Sequence, residues 1–331
     1  MIRTSWTRSL SQSDAADYDR FVAESRGGHI AQTRAWERIA TAGRTLDARY
    51  FLARDSATSE VLGAALVLRP HALGVLALPV AIVDRGPVAA SPDGLRRVVP
   101  ALLREARRHG VARLSVMPYW ADDDAALAER ALEGAGMRDV QEPDGAHVST
   151  LRLDIAGKSD EAILEGKDRK KLRYELKHAA KLGATVRRGD AKDIGVLARL
   201  NDALMASQSK HAKPRAWFDA VAGLLGEGDR GALFLCDHGG ETLAAVMVSR
   251  HALMATFFVG ASLPVQRPFS KMALPLMEAI RWARGAGCAT FDLGGVPMEG
   301  DSDEKRASIA QFKFDFTKNR TRLVREHARW F

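Results

Sequence analysis

Cysteine is almost missing from this chain. Its 331 residues include two, Cys236 and Cys288, each inside an apolar, strand-like run (LFLCD and GCATFDL) where a reduced, buried thiol is the expected state. Two such thiols make no disulfide framework, and no Cys/His spacing suited to zinc occurs, so no metal is expected. Long uncharged hydrophobic runs are missing too. The opening MIRTSWTRSLSQSDAADYDRF lacks the apolar core of a signal peptide, and no later stretch is long enough to span a bilayer. Together these absences lead to the expectation of a cytoplasmic protein. Negative charge is the remaining shortage. Against 49 lysines and arginines stand 41 carboxylates, a net charge of +8. That balance favours a polyanionic partner: nucleic acid, a phosphorylated metabolite or an anionic membrane surface.

What is present is an ordinary globular composition, 46% hydrophobic and 27% charged, in a chain long enough for two cores. Apolar periodicity predicts a helix over Ser13 to Ala23 and a short one carrying Trp36. Strand-like DARYFLAR, VLGAALVLRP and GVLALPVAIVDRGPV follow. Gly94 to His109 reads as an amphipathic helix with Leu95, Val98, Leu102 and Ala106 on one face. Next come the buried strand VARLSVMPYW, the short helix ALAERALEGAG and the strand HVSTLRLDI. From Ser159 the order returns: helices, the three strands GALFLCD, TLAAVMVSR and LMATFFVGA, a helix over Lys271 to Arg284, and the strand CATFDLGG. A meander, a helix and a further strand, occurring twice, imply two copies of one α+β unit. Gly and Ser interrupt the pattern in DIAGKS, so the expected domains are 1–155 and 156–318, with the C-terminal strand 319–331 returning to the first.

A meander followed by strand, helix and strand resembles the GNAT acyltransferase fold, with mixed central sheets flanked by helices. That fold cradles an acyl-CoA pyrophosphate on bare backbone N–H groups at a helix start. Here the equivalent stretch is QRPFSKM, where Pro268, Phe269 and Lys271 replace the glycines such a cradle needs. The first half offers only AASPDGL. No cofactor is therefore expected, and the acyl group must come from another donor.

Seven stretches in order extend over nearly the whole chain: QTRAW (Gln32 to Trp36), RGPV (Arg85 to Val88), the basic helix ending KLGATV, KPRAWF (Lys213 to Phe218), FVGAS, FDLGGV and QFKFDF. Together they resemble the Fem family of aminoacyl-tRNA-dependent peptidyltransferases. The resemblance implies two GNAT-like domains, here without a long coiled-coil arm. It also implies a reaction, in which an amine of a peptidoglycan precursor attacks the ester of an aminoacyl-tRNA. Such an activated ester asks mainly for positioning and for stabilisation of the oxyanion. UDP-linked and lipid-linked muropeptides are both open as acceptors, as is peripheral contact with a membrane. A monomer is expected.

By the same resemblance, Lys313 in QFKFDF meets the ester carbonyl and Phe312 packs beside the substrate. The competing reading turns Phe312, Phe314 and Phe316 inward along a strand and Lys313 out to solvent. Lys213 and Trp217 align with the family's grip on the precursor diphosphate, and Arg215, two residues on from Lys213, offers the guanidinium fork; their alternative is a helix start with Pro214 in its first turn. In the basic stretch Gly166 to Gly189, Leu172, Leu176 and Ala179 or Ala180 form the inward stripe. Lys170, Lys177 and Lys181 share another face with Arg173 nearby, suited to tRNA phosphates or simply to solvent. Asp292 ends a buried strand, as a base for the amine or as a loop brace. Close relatives carry a lysine a turn after the tryptophan of QTRAW, where this chain offers Arg38 and then Ala40, and an aspartate where it has Met117, which leaves acceptors outside the cell wall open. Two rivals remain: an N-acyltransferase using acyl-CoA or acyl-carrier protein, and a non-catalytic nucleic-acid-binding protein.

Overall fold

The computed structural model describes residues 1–72, 76–140, 148–226, 230–297 and 311–331. Gly74, Val75 and His147, at the starts of two expected strands, lie outside them. The chain divides into two compact units, Met1–Val148 with Arg322–Phe331, and Ser149–Thr321. The division falls at Val148/Ser149 and not at DIAGKS. The strand Ser149–Asp154 pairs through Leu153 and Asp154 with Phe291 and Thr290, which fixes it in the second sheet before the Gly and Ser are reached.

In the first unit the order is β1 (Ile2–Thr7), α1 (Gln12–Glu24), α2 (Arg34–Thr41), β2 (Leu46–Asp55), β3 (Val61–Ala72), β4 (Leu76–Ala77), β5 (Val80–Val83), β6 (Val88–Ala89), α3 (Leu95–Arg108), β7 (Arg113–Val116), α4 (Asp122–Gly134) and β8 (Arg138–Asp139). β1, β2, β3 and β5 pair antiparallel in turn, and β5 pairs parallel with β7. A parallel neighbour needs a crossover, and α3 supplies it. Leu95, Val98, Leu102 and Ala106, the stripe read from periodicity, are all fully buried there. The expected strand VARLSVMPYW stops at Val116, because Met117 N–H turns to the carbonyls of Val83 (3.2 Å) and Gly86 (3.0 Å).

The second unit repeats the plan. It runs β9 (Ser149–Asp154), α5 (Asp160–Ile163), α6 (Lys170–Lys181), β10 (Thr185–Gly189), α7 (Ile194–Ser207), α8 (Arg215–Gly226), β11 (Gly231–His238), β12 (Glu241–His251), β13 (Met254–Ser262), α9 (Ala273–Gly285), β14 (Thr290–Gly295) and β15 (Arg320–Arg322). β10 to β13 form an antiparallel meander, α9 crosses over, and β14 pairs parallel with β13. β16 (His327–Trp330) belongs to the first unit, where it pairs with β7 and β8. Both units are α+β with a mixed sheet flanked by helices, as expected from sequence.

The QTRAW and RGPV stretches meet inside the first unit. Gln32 is fully buried. Its Nε2 donates to Asp84 O (2.5 Å), its Oε1 accepts from Leu66 N–H (2.8 Å), and its own carbonyl accepts from the Tyr18 hydroxyl (2.8 Å). Gly86 packs so tightly on this amide that a Cβ there would lie 2.6 Å from the Gln32 Cδ. A buried donor or acceptor left alone costs about 1–3 kcal/mol. Gln32→Met, which keeps the volume and removes both side-chain bonds, should therefore lower unfolding stability by about 2–4 kcal/mol, read as a reduced urea midpoint at unchanged m-value.

Candidate functional site

The second sheet has a gap. β13 and β14 pair only from Met254–Thr256 to Thr290–Asp292, leaving Phe257–Ser262 and Leu293–Gly295 without each other as partners. A bulge sits at the same level. Met247 pairs with Val259 and Val248 with Phe257, so Phe258 is the extra residue. Bulges re-aim side chains and end pairing, and here both Phe257 and Phe258 are presented for contacts off the ladder.

Lys313 fills the gap. Residues 311–314 are helical, so the alternation that would send Lys313 to solvent does not exist. Its side chain is buried, 8% exposed. Nζ donates to Gly295 O at 2.9 Å and lies 5.5 Å from the centre of the Phe257 ring. Phe312 packs edge-on against that ring at 6.1 Å. Gly294, at φ +77°, brings backbone close: a Cβ there would lie 3.5 Å from Nζ. Burial lowers the Lys313 pKa to about 8, while the charge of Asp292 pulls the other way. At neutral pH this is an ammonium held in a nearly dry pocket by one carbonyl, one aromatic face and one nearby carboxylate.

Asp292 is 2% exposed. Its Oδ1 accepts from the Thr150 hydroxyl and from Gly294 N–H (2.7 Å), and its Oδ2 faces Arg152 Nε at 3.4 Å. Each oxygen thus faces a donor within the fold, an arrangement that fits the reading of Asp292 as a brace. It braces β9, β14 and the Gly294 turn, and sets the electrostatic field around Lys313. Thr150, Arg152 and Phe257 went unnoticed in the sequence because the contacts of Thr150 and Arg152 with Asp292 span about 140 residues and Phe257 reads as core.

The remaining candidates lie elsewhere. Lys213 and Arg215 stand exposed at the start of α8. Lys213 Nζ lies 5.3 Å over the Trp217 ring, and its backbone N–H donates to Asn201 Oδ1. Trp217 packs on Phe258 at 5.5 Å, which links this cluster to the bulge in β13. Arg215 Nε pairs with Asp219 at 2.9 Å, an exposed ion pair of little strength. Arg38 is exposed on α2 of the first unit. On α6, Lys170, Lys177 and Lys181 are exposed while Leu172 and Ala179 are buried. Arg173 differs from those lysines: it is half-buried, and its Nη1 donates to the carbonyls of Leu164 and Gly166 (2.8 Å), which fastens the turn before α6. Lys171 pairs with Asp315 at 2.8 Å and ties this helix to the Lys313 segment.

The turn before α9 is where a GNAT fold would seat a CoA pyrophosphate. Here Ser270 N–H donates to the Glu175 carboxylate at 2.7 Å, and Lys271 Nζ donates to the carbonyls of Leu263 and Val265 (2.6 Å). Phe269 is buried beneath. A carboxylate already holds the amide a phosphate would use, so this turn does not fit CoA.

Residues 166–306 match the family model described as an acetyltransferase (GNAT) domain. No curated protein sequence matches the chain. Among solved structures, the chain resembles FemX at TM-score 0.79 and 17% identity, over 99% of this chain and 97% of that one. The structure of L-PGS from Bacillus licheniformis is similar at TM-score 0.61 and 13% identity, covering 97% and 91%. A tandem GNAT protein from the clavulanic acid biosynthesis pathway is similar at TM-score 0.57 and 10% identity, covering 100% and 98%. In fold, then, the chain resembles these tandem GNAT structures, and it is the second unit that matches the GNAT domain model.

Proposed function

We propose that this protein is an aminoacyltransferase that moves an amino acid from aminoacyl-tRNA to an amine of a peptidoglycan precursor or a related molecule. The observation that carries the reading is the Lys313 ammonium buried where β13 and β14 part. Likeness in fold to FemX and to L-PGS supports the same class, and a turn already filled by Glu175 and Lys271 argues against acyl-CoA as donor.

In this reading the neutral amine of the acceptor attacks the ester carbonyl. The C=O pair moves to oxygen, and the Lys313 ammonium stabilises that oxyanion. Collapse breaks the bond to the ribose oxygen, which takes the proton released by the attacking nitrogen; amide and free tRNA leave. Preorganised donors of this kind contribute about 2.7–4 kcal/mol to such a step. Asp292 favours the charged form of the lysine, Phe312 and Phe257 wall the pocket, and Lys213, Arg215 and Trp217 receive the phosphorylated acceptor. Arg38 is kept as an acceptor contact of the first unit. Lys170, Lys177 and Lys181 meet donor phosphates. A cytoplasmic monomer touching the membrane surface when its acceptor is lipid-linked completes the proposal.

Incubation with a pool of charged tRNAs and muropeptide precursors should give a mass increment of one amino-acid residue on the acceptor, whereas acetyl-CoA should give neither heat of binding nor product. Lys313→Met should lower kcat by about 10²–10³-fold; an unaffected rate would remove the lysine from the mechanism. Because the active form is the ammonium, kcat should fall as pH rises through about 8. A neutral amine base at this position would give a rising limb instead.

The same variant separates function from stability. An unfolded lysine titrates near 10.4, so between pH 8 and that value the unfolded chain binds more protons than the folded one, and the burial penalty fades as pH rises. At pH 7 it amounts to roughly 3 kcal/mol. Lys313→Met removes that penalty but leaves Gly295 O without its donor, so its stability relative to the parent in urea should decline as pH rises from 8 toward 10. Replacing Lys170, Lys177 and Lys181 by alanine should raise KM for aminoacyl-tRNA and flatten its salt dependence by about 2–3 in slope, roughly 0.9 for each lost phosphate contact, with kcat retained.

A further inference from the structure

α3 of the first unit carries five arginines and a single acid, Glu105, with no lysine. Glu105 is buried and already engaged by the Thr4 hydroxyl (2.7 Å) and Arg108 (3.1 Å). Arg97 has a partial partner in Asp55 at 3.1 Å. Arg104 and Arg107 are exposed, and among the described residues their side chains make no ion pair or hydrogen bond. Arg104 and Arg108 form a ridge between two grooves. One, of 730 Å³, also includes Leu103, Arg107, Arg329 and Phe331; the other, of 540 Å³, includes Ile2, Thr4 and Arg97.

A helix C-terminus attracts cations within its last turn. That accounts for Arg107 and Arg108 but not for Arg104 or Arg97, one and three turns further back. From Arg97 to Arg108 the ridge runs about 16 Å at 1.5 Å per residue, longer than any single phosphate or diphosphate. Repeated cations over that length match a repeating anion. Arginine suits phosphate because its planar fork binds two oxygens at once and is weakly hydrated. Phe331, 39% exposed with the Arg329 guanidinium 5.9 Å over its ring, adds an aromatic face at the groove edge on which a base can stack. A lipid surface is flat, whereas this ridge lies between two grooves that a strand can follow.

We propose that the arginine ridge of α3, with the grooves on either side, is a docking track for an RNA backbone, separate from the pocket that holds Lys313. The RNA is taken to be the donor tRNA, and in that identity alone the inference rests on the proposed function.

The test titrates fluorescent deacylated tRNA into the full chain by anisotropy between 50 and 200 mM salt. Arg104→Gln with Arg107→Gln should weaken binding several-fold at the lower salt and reduce the slope of log K against log salt by about 1.4–1.8, two phosphate contacts' worth. Arg104→Lys with Arg107→Lys keeps the charges and should recover most of that slope, which also controls for folding. An unchanged slope in the glutamine variant overturns the proposal. So does a variant that keeps tRNA binding while losing affinity for phosphatidylglycerol vesicles, since the ridge would then face a membrane. If the parent protein transfers from no aminoacyl-tRNA yet the glutamine variant loses slope, the RNA track stands and the donor reading falls. If transfer proceeds and the slope is unmoved, the track alone falls.

Discussion

The second unit is organised around the early end of one parallel strand pair. Once β13 and β14 stop bonding after Thr256 and Asp292, the backbone groups beyond need other partners, since buried peptide groups are not left alone. Lys313 meets part of that need by donating to Gly295 O, and Asp292 meets another part by accepting from Gly294 N–H. The gap is thus closed by side chains and not by a ladder. A ladder would have been inert. Closing it with an ammonium leaves a charge in a place where water screens little, and there a cation acts on a developing negative oxygen far more strongly than in bulk solvent.

The first unit shows the alternative solution to the same geometric problem. Its parallel pair, β5 and β7, also ends abruptly, at Val83 and Val116. There Met117 N–H closes the space by bonding to Val83 O and Gly86 O, and Gln32 holds the Asp84–Gly86 turn from behind. These bonds run between backbone groups and the Gln32 amide, where the second unit uses the Lys313 ammonium and the Asp292 carboxylate. Polar residues set in apolar context thus differ between the units: Gln32 bonds backbone groups through a neutral amide, whereas Lys313 brings a buried charge.

Much of this architecture was legible in the amino-acid order. The stripe Leu95, Val98, Leu102, Ala106 marks α3 because a 3.6-residue period admits few other readings, and the doubled meander–helix–strand pattern needs no long-range information. Boundaries set by pairing were less visible. Ser149–Asp154 belongs to the second sheet through register with β14, which no local pattern encodes. QFKFDF alternates like a strand yet is helical over 311–314, and only that change turns Lys313 inward. Asp292 was conspicuous at its strand end, but its partners Thr150 and Arg152 lie far away in sequence, so base and brace could not be told apart. Arg173 reads like its lysine neighbours in sequence, yet its Nη1 bonds the carbonyls of Leu164 and Gly166.

The turn before α9 bears on why such a fold would do without a CoA cradle. A thioester donor brings a pyrophosphate that must be gripped, and the grip requires open amides at a helix start. In this chain those positions are closed from inside by Glu175 on Ser270 N–H and by the Lys271 ammonium on two carbonyls. Glu175 lies on α6, the helix whose other face exposes Lys170, Lys177 and Lys181. One helix thus does two things by position alone. Its inner carboxylate holds the Ser270 amide at the start of α9, and its outer cations present a broader surface to anions in solvent. A small enclosed anion site suits a nucleotide-sized ligand, whereas an extended open one suits a polymer, whose charge is spread along its length and is held by many weak contacts instead of one tight one.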